Sequence, residues 1–468
     1  MSMEDKYKKN KYSKKEIEQL KEDALTYVWP FFHDNIELAK KKPKIFVKGE
    51  GLYIYDIEGN RYLDSFASLL TTVSGHGRKE VADAVYAQMR ELEFFPNYID
   101  TFTVPVIKLA KKLAEIAPGK LLVTFFVNDG SEACETAIKM AKQYFWLKGK
   151  KQKNKIIAKR SSYHGATYGG ISACGLPWFR EPFEPLAPGF IHVMHAWCYR
   201  CELDLNPETC KLACLKNIEQ AIQWENPDTI AALIMDPLPG SNTGYPNPPE
   251  GYIKGIRKLC NKYKILLIFD EVQSGFGKTG KMFACEHWDV VPDIMAIAKG
   301  FSGGYLPLGA TITTKKIADE FFNEPGKEFR HGFTFGGHPA SCAAALANIE
   351  IIQKENLVEN ASKMGKYIRE ELENLKNKYS IIGDIRGMGL LLAVELVKDK
   401  KTKERIDPKL GVGTWMKNRF YEKNIILRNN GEILVLAPAL TISKKEADII
   451  ISALDEVLSD AIKHFNLK

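Results

Sequence analysis

Residues 265–280 read ILLIFDEVQSGFGKTG, an apolar run that meets an acid pair and then a glycine-rich loop. A short apolar run bounded by turn residues is typical of a buried strand. The acid pair, Asp270 and Glu271, must find a partner there, because burying an unpaired charge is costly. The glycines that follow indicate a loop whose backbone comes close to another group.

Apolar strands and amphipathic helices alternate on both sides of this segment. This alternation predicts βαβ units and a mostly parallel sheet, and therefore an α/β fold. Ligands bind outside the carboxyl ends of such strands, so the residues after each strand are the candidates for chemistry. The predicted strands are Leu121–Val127, Lys155–Lys159, Ile230–Met235, Ile265–Phe269, Ile294–Ile297 and Gly309–Thr313, and helical spacing is clear in Val104–Ile116, Glu132–Trp146 and Pro339–Lys376.

The two ends of the chain predict a smaller α+β domain. The C-terminal part has an apolar strand at Gly389–Leu396 and a terminal helix from Lys444, while Gly59-Asn60 is a hairpin turn signal near the N-terminus. We expect the N-terminal hairpin to pack with the C-terminal part. The predicted division is an N-terminal segment of the small domain over residues 1–70, a large cofactor-binding domain over 71–335, and the C-terminal small domain over 336–468.

Composition excludes several classes of protein. The 468 residues are 45% hydrophobic and 26% charged, with a net charge of +8 from lysines spread along the chain. A nucleic-acid binder would concentrate them on one element, so we interpret the lysine runs as solvated faces, with attraction of anionic substrates as a second interpretation. No apolar run is long enough for a membrane helix, and the first sixteen residues lack the apolar core of a secretory signal. We therefore expect a cytoplasmic protein.

Lys299 directly follows a short apolar strand, as Asp270 does. A desolvated lysine has a lowered pKa and a nucleophilic amine. Pyridoxal phosphate (PLP) needs such a lysine to bond to its aldehyde, and a carboxylate to keep its pyridine nitrogen protonated. Either residue alone could equally be a turn or cap residue.

Gly130 and Ser131 begin the helix after the strand Leu121–Val127. Free backbone N–H groups and a hydroxyl at a helix start form an anion site that suits a phosphate. The alternative is an ordinary helix cap at Ser131. Both interpretations can hold together.

Six ordered motifs carry a resemblance to a known family. They are Leu267–Val272 with the loop Gly275–Gly280, Ala298-Lys299-Gly300, Gly130-Ser131-Glu132-Ala133, Tyr163-His164-Gly165, His331–Phe335 with Gly337-His338-Pro339, and Arg428. Together they closely resemble the class III aminotransferases over roughly residues 25–460. The resemblance implies PLP as cofactor, the PLP-dependent transferase fold of type I, and a homodimer with shared active sites, with a tetramer as a further form.

The resemblance also implies roles for the cofactor-binding residues. Lys299 would bond to the cofactor and move the proton in catalysis, and Asp270 would pair with the pyridine nitrogen. Val272 and Tyr163 would lie on opposite ring faces, beside His164 of the same motif. The remaining cofactor contacts would be Gln273 near the phenolic oxygen, Gly130 and Ser131 at the phosphate, and Thr334 at the phosphate of the neighbouring subunit.

The substrate residues that the resemblance implies rest on weaker patterns. Arg428 would bind the carboxylate of the keto acid with its planar fork. Leu70 stands where several ω-amine-specific members have tryptophan, and Trp178 is a candidate pocket aromatic. Asp236 stands where many members have glutamate, which puts any role carried over for that residue in doubt. Outside the resemblance, Tyr163 could be core, Thr334 a strand residue and Arg428 a surface arginine.

Four cysteines stand outside these motifs. Cys198, Cys201, Cys210 and Cys214 resemble two halves of a zinc site, although the gap between the pairs is shorter than in common zinc ribbons. A disulfide and free thiols are the alternatives, and free thiols are the prediction, with no metal assigned.

The predicted function is a ping-pong transaminase. An ω-amino acid, a diamine or a taurine-like amine would give its amino group to pyruvate or 2-oxoglutarate. A decarboxylase, racemase or aminomutase on the same fold is the first alternative, because Lys299 would serve each of them. A zinc-binding interaction protein centred on the cysteines is the distant alternative.

Overall fold

The computed structural model describes residues 12–32 and 34–467, and its strands form three sheets. Residues 1–11, part of the segment in which we expect no secretory signal, lie outside it. The described strands are β1 Phe46–Glu50, β2 Tyr53–Asp56, β3 Arg61–Asp64, β4 Leu121–Val127, β5 Lys155–Lys159, β6 Phe190–Val193, β7 Ile230–Met235, β8 Leu266–Asp270, β9 Ile294–Ile297, β10 Gly309–Thr314, β11 Ile382–Met388, β12 Leu391–Leu396, β13 Ile425–Ile426, β14 Arg428–Asn430 and β15 Ile433–Leu436.

The central sheet has seven strands in the order β4-β10-β9-β8-β7-β5-β6. Neighbours from β9 to β6 pair in parallel, and β10 alone runs antiparallel to both its neighbours. The mostly parallel α/β sheet predicted from the sequence is confirmed. Because β10 reverses direction between β9 and β4, β4 points the same way as the parallel strands.

Helices cover this sheet because the middle strands are apolar along their whole length. Every residue of β7, β8 and β9 is buried, so both faces of the sheet need cover. The longer helices are Lys14–Tyr27, Asn35–Lys41, Lys79–Glu91, Val104–Ile116, Gly130–Leu147, Tyr168–Ala173, Ala213–Trp224, Tyr252–Tyr263, Lys315–Phe322, Pro339–Lys354, Leu357–Lys378, Val412–Glu422 and Lys444–Phe465, and two short ones are Ala67–Leu70 and Pro177–Arg180.

The single helical segment predicted over Pro339–Lys376 is two helices in the structure. The chain turns at Asn356, whose φ is 53°, a left-handed conformation that asparagine adopts more readily than most residues. The first of the two helices, Pro339–Lys354, packs against Lys79–Glu91 and Val104–Ile116. The packing therefore crosses the domain boundary predicted at residue 335, and the predicted boundaries stay predictions.

The ends of the chain meet in one small sheet of order β1-β2-β3-β13. Strand β13 pairs in parallel with β3, with Ile425 opposite Leu63, so the N-terminal hairpin joins the C-terminal part as expected. The third sheet has the order β11-β12-β15-β14. Among the helices of the described ranges, none combines the length and the apolar character that crossing a membrane requires.

The core of the central sheet predicts a matched pair of stability effects. Leu233 in β7 is completely buried, whereas Leu122 in β4 is 45% exposed. Leu233→Ala should lower the free energy of unfolding by about 2–5 kcal/mol, because it removes buried methyl groups and leaves a cavity. Leu122→Ala should change it by less than about 1 kcal/mol. Thermal unfolding of both variants checks this, and equal losses would contradict the assignment of the core.

Candidate active site

The functional residues meet at one edge of the central sheet. Strands β4, β5, β7, β8 and β9 all end there, and the segments that follow them line one cavity of about 810 Å³. Gly130, Tyr163, Asp236, Asp270 and Lys299 each come from a different one of these strand ends. This is the position in which parallel α/β sheets bind ligands.

Lys299 lies in the cavity two residues after β9, on a strained turn. Its φ is 51°, in the left-handed region that a lysine seldom adopts. Burial lowers the pKa of its amine, and the carboxylate of Asp270 only partly opposes this shift. The amine is therefore closer to its neutral, nucleophilic form than an exposed lysine is.

Asp270, the last residue of β8, is a buried carboxylate with three hydrogen-bond donors. His164 Nδ1 donates to Oδ2 at 2.9 Å, Cys134 Sγ donates to the same oxygen at 3.2 Å, and the backbone N–H of Val272 donates to Oδ1 at 3.0 Å. Burial favours protonation, but His164 and the other donors outweigh it and hold the pKa of Asp270 below its ordinary value. The group stays an anion inside the protein.

Two carboxylates lie near the same ring nitrogen of His164. Its Nδ1 is also 3.6 Å from Oδ1 of Asp236, which follows β7. Burial opposes its charge, but Asp236 and Asp270 together raise the pKa of His164 above its ordinary value. Burial and the nearby Asp270 raise the pKa of Asp236 to about 6, against the attraction of His164. Asp236 is therefore a partner of His164, and its position after β7 is the signal that could have identified it.

Gly130 and Ser131 form a tight cradle at the start of helix Gly130–Leu147. A Cβ on Gly130 would lie 2.7 Å from Cγ1 of Val272, and one on Gly165 would lie 2.7 Å from Cα of Ser131. The cap of the helix is Asp129, whose carboxylate accepts from the N–H of Glu132 at 2.9 Å. Ser131 is therefore not the cap, and its hydroxyl can still donate into the cavity.

Tyr163, Val272 and Gln273 complete the walls around Lys299. Burial raises the pKa of Tyr163 to about 12, so its phenol keeps its proton. Gln273 is fixed because its Oε1 accepts from the N–H of Ser241 at 3.1 Å. A Cβ on Gly240 would come within 2.7 Å of Nε2 of Gln273, so this wall is also closely packed.

Arg428, the first residue of β14, does not line the cavity of the single chain. Its guanidinium donates to Oδ1 of Asn242 at 3.0 Å and to Oδ1 of Asn430 at 3.3 Å, and lies 5.4 Å from the centre of the Phe66 ring. It is partly buried, so the alternative of a free surface arginine is wrong. Its partners are neutral amides, and Asp236 is not among them.

Thr334 also lies outside this cavity, on an exposed turn. The predicted alternative of a strand residue is wrong, since residues 334–337 form a turn. The sequence assigned Thr334 to the phosphate of a neighbouring subunit, and that role stays a prediction. His331, three residues earlier, is held by two side chains of helix Gly130–Leu147.

Neither of the predicted pocket residues Leu70 and Trp178 lines the cavity. Leu70 is buried in the core, and its neighbours Leu69 and Thr71 line the cavity instead. The cause is a left-handed backbone from residue 67 to residue 70, which turns the side chains away from the helical pattern. Trp178 packs behind the cavity on Phe32, with ring centres 5.8 Å apart.

Phe31 and Phe32 also line the cavity, and no sequence pattern indicated them. They stand in a turn before helix Asn35–Lys41, outside any strand or motif. Their approach to Tyr163 and Trp178 depends on a long-range contact. Phe179 bridges the group, with ring centres 5.4 Å from Phe32 and 5.0 Å from Tyr163.

The four cysteines outside the motifs are free and partly buried. Burial, together with the thiols of Cys210 and Cys201, raises the pKa of Cys198. Within the described ranges, the group whose possible ligand atoms lie within 4.8 Å of one another is Cys134, His164 and Asp270. No three of the cysteines from 198 to 214 meet that spacing, and the assignment of no metal stays a prediction.

The chain is similar to known proteins over nearly its whole length. The sequence family described as aminotransferase class-III matches residues 38–458. The chain is 40% identical to the taurine–pyruvate aminotransferase of Bilophila wadsworthia, over 94% of this chain and 97% of that protein. It is 38% identical to the adenosylmethionine-8-amino-7-oxononanoate aminotransferase of Methanocaldococcus jannaschii, over 93% of this chain and 96% of that protein.

The fold is also similar to that of a solved structure. The crystal structure of a thermostable (S)-enantioselective omega-transaminase from Thermomicrobium roseum superposes with a TM-score of 0.92 and 39% identity, over 95% of this chain and 99% of that chain. The chain therefore belongs to the class III aminotransferase family. It is a PLP-dependent transaminase with the transferase fold of type I, as the sequence predicted.

The cavity fits this cofactor on its own geometry. It offers a desolvated amine at Lys299, a carboxylate held ionised at Asp270, and a glycine cradle at Gly130 that a side chain would fill. These are the three groups that a PLP aldehyde, pyridine nitrogen and phosphate require.

The surroundings of His331, close to Thr334 in the chain, predict how acid affects the stability of the fold. Lys139 Nζ donates to its Nδ1 at 2.9 Å, and its Nε2 donates to Thr136 Oγ1 at 2.8 Å, so the ring is neutral. Burial, helped by Lys139, lowers the pKa of His331 from 6.5 to about 4. Between these two pH values the unfolded chain binds the extra proton, so stability falls as the pH falls from about 6.5 to about 4.

His331→Gln should therefore make the unfolding temperature less sensitive to acid. The drop in midpoint between pH 7.5 and pH 5 should be smaller than in the wild type by roughly 1–3 °C. The exposed His464 gives the matched control, His464→Gln. An unchanged drop in the His331 variant would show that this histidine does not carry the effect.

Proposed function

We propose that this transaminase takes its amino group from a primary amine at the end of a carbon chain and passes it to pyruvate. The observation that carries the proposal is the placement of Lys299 and Asp270 at the ends of the adjacent strands β9 and β8, in one cavity. Two features support the choice of substrates. They are the similarity to a taurine–pyruvate aminotransferase and the apolar wall opposite the lysine.

Lys299 is proposed as the catalytic residue. PLP, when bound, supplies an electron sink for negative charge at the carbon that bears the amine. Lys299 would hold the cofactor covalently between turnovers. Once the donor amine has displaced it, its desolvated amine would take the proton from the donor carbon and return it to complete the transfer.

Asp270 would keep the pyridine nitrogen protonated. A carboxylate can do this only while it is itself ionised, and the donors His164, Cys134 and Val272 supply that condition. His164 would act through Asp270, and Asp236, whose Oδ1 lies 3.6 Å from the same Nδ1, would help to balance its charge. These three residues form a buried group of alternating charge in the wall of the cavity.

The remaining lining residues would position the ring and the phosphate. Gly130 and Ser131 would receive the phosphate at the helix N-terminus, where backbone N–H groups favour an anion. Tyr163 and Val272 would hold the ring from its two faces. Gln273, already fixed by Ser241, would lie near the phenolic oxygen.

The cavity walls support a donor whose body is apolar. Phe31, Phe32, Leu69, Leu238 and Leu308 face the space in front of Lys299. Among the residues that line the cavity in the described ranges, Lys299 is the only lysine or arginine. A donor with a flexible apolar chain and a terminal amine therefore fits this wall.

Arg428 is proposed as the site of the keto acid carboxylate. Its guanidinium donates to the neutral amides of Asn242 and Asn430. A carboxylate would accept stronger, charge-assisted hydrogen bonds than these amides do. Pyruvate could therefore displace Asn242 or Asn430 at small cost. A homodimer would bring Thr334 of a second copy toward the phosphate, and we propose that assembly with two shared active sites.

Replacing Lys299 tests the catalytic proposal. Lys299→Ala should abolish turnover with any amine, because neither the covalent bond nor the proton carrier remains. The wild type should lose its visible absorbance band on addition of putrescine or taurine and regain it with pyruvate. A Lys299→Ala variant that shows the same visible band and still catalyses transamination would contradict the assignment.

Arg428→Gln tests the acceptor separately from the donor. The KM for pyruvate should rise by about 10- to 100-fold, because charged hydrogen bonds are worth about 1.5–3 kcal/mol. The half-reaction with putrescine, which has no carboxylate, should keep its rate. Arg419→Gln, at a partly exposed arginine, is the control, and an unchanged KM in the Arg428 variant would exclude it from the acceptor site.

A further inference from the structure

A second cavity lies on helix Gly130–Leu147, and it shares no lining residue with the active site. Its volume is about 490 Å³. Four of its seven lining residues are basic, and none is acidic. We call it the basic pocket, and its lining residues are Lys139, Lys142, Gln143, Trp146, Lys151, Asn154 and Arg330.

The charges of the basic pocket lack counter-ions within the described part of the chain. No carboxylate there lies within 4.0 Å of Lys139, Lys142 or Lys151, and Arg330 is 3.8 Å from Glu328 on the rim. The neighbouring Lys148, by contrast, has its amine 2.7 Å from Glu320. The positive charge of the basic pocket is therefore largely uncompensated by ion pairs within the described part of the chain.

The helix brings these cations together at a cost. Lys139, Lys142, Gln143 and Trp146 have the spacing i, i+3, i+4 and i+7, so they share one face, and like charges at that spacing repel. Burial lowers the pKa of Lys142, and the carboxylate of Glu135 opposes the shift. Glu135 is itself engaged, since its Oε2 accepts from Thr167 Oγ1 at 2.6 Å and from the N–H of Gly170 at 3.1 Å.

In the basic pocket, the side chain of Gln143 is held in place and the ring of Trp146 is exposed to solvent. Gln143 is held because its Nε2 donates to the carbonyl of Glu328 at 2.8 Å and its Oε1 accepts from the N–H of Arg330 at 3.3 Å. Trp146 is 48% exposed, and the amine of Lys151 lies 5.3 Å from its ring centre. Several donors thus surround a concave space beside a flat ring.

We infer that the basic pocket binds a small anion that carries a pyrophosphate group. Multivalent phosphates accept several charge-assisted hydrogen bonds at once, and such a ligand would relieve the repulsion among the lysines. The source of the group can be an inorganic polyphosphate or a nucleotide. The small volume favours a small molecule over a nucleic acid strand.

Calorimetric titration of the PLP-loaded enzyme tests this inference. The loaded enzyme is required because an empty phosphate cradle at Gly130 could bind the same probe. Pyrophosphate should bind at one site per chain. The double variant Lys142→Gln/Lys151→Gln should weaken that binding at least about tenfold, because it removes two charge-assisted contacts.

A control variant separates a specific site from general attraction by a positive protein. Lys111→Gln/Lys216→Gln removes the same charge from two exposed lysines outside the pocket. It should leave pyrophosphate affinity within about twofold. Both double variants should keep the transaminase rate. Equal weakening in the two variants, or no binding heat in the wild type, would overturn the inference.

ATP distinguishes the two sources of the group. Affinity equal to that of pyrophosphate supports a polyphosphate ligand. Tighter binding of ATP that Trp146→Leu returns to the pyrophosphate value supports a nucleotide whose base lies on the ring. Binding of ATP that the lysine variant leaves unchanged would contradict the pocket as its site.

Discussion

The hydrogen bond from His164 to Asp270 is the interaction on which the active site depends. Asp270 ends a strand that is buried along its whole length, and a carboxylate there would ordinarily take up a proton. His164 prevents this at a distance of 2.9 Å, and Asp236 in turn stabilises the charge of His164. The buried anion at Asp270 is therefore stabilised by His164, and the charge of His164 is stabilised by a second carboxylate, Asp236.

The direction of the strands determines what can meet this anion. Six strands of the central sheet end at the same edge, and the segments after five of them converge on the cavity although they are far apart in the chain. Lys299 reaches the cavity through a left-handed turn. Position 130 must be glycine, because a side chain there would collide with Val272. A strained lysine and an obligatory glycine are costs that a binding site can explain.

Local patterns made much of this predictable from the sequence. Apolar runs marked β4, β5, β7 and β9 to the residue, and the convergence of Lys299, Asp270 and Gly130 followed from the parallel sheet. Contacts between distant segments could not be predicted. Phe31 and Phe32 belong to no helix or strand, and Leu69 replaces Leu70 because of four left-handed residues. Arg428 is held by Asn242, which belongs to a distant loop. Strand β6, only partly buried, lacked a clear pattern.

The protonation state of the bound cofactor is the most direct test of this account. Its pyridine nitrogen can be followed by ¹⁵N NMR with labelled PLP in the wild type and in Asp270→Asn. The account predicts a protonated nitrogen in the wild type at neutral pH and an unprotonated one in the variant. A nitrogen that is unprotonated in both proteins, or protonated in both, would contradict the role of the buried carboxylate.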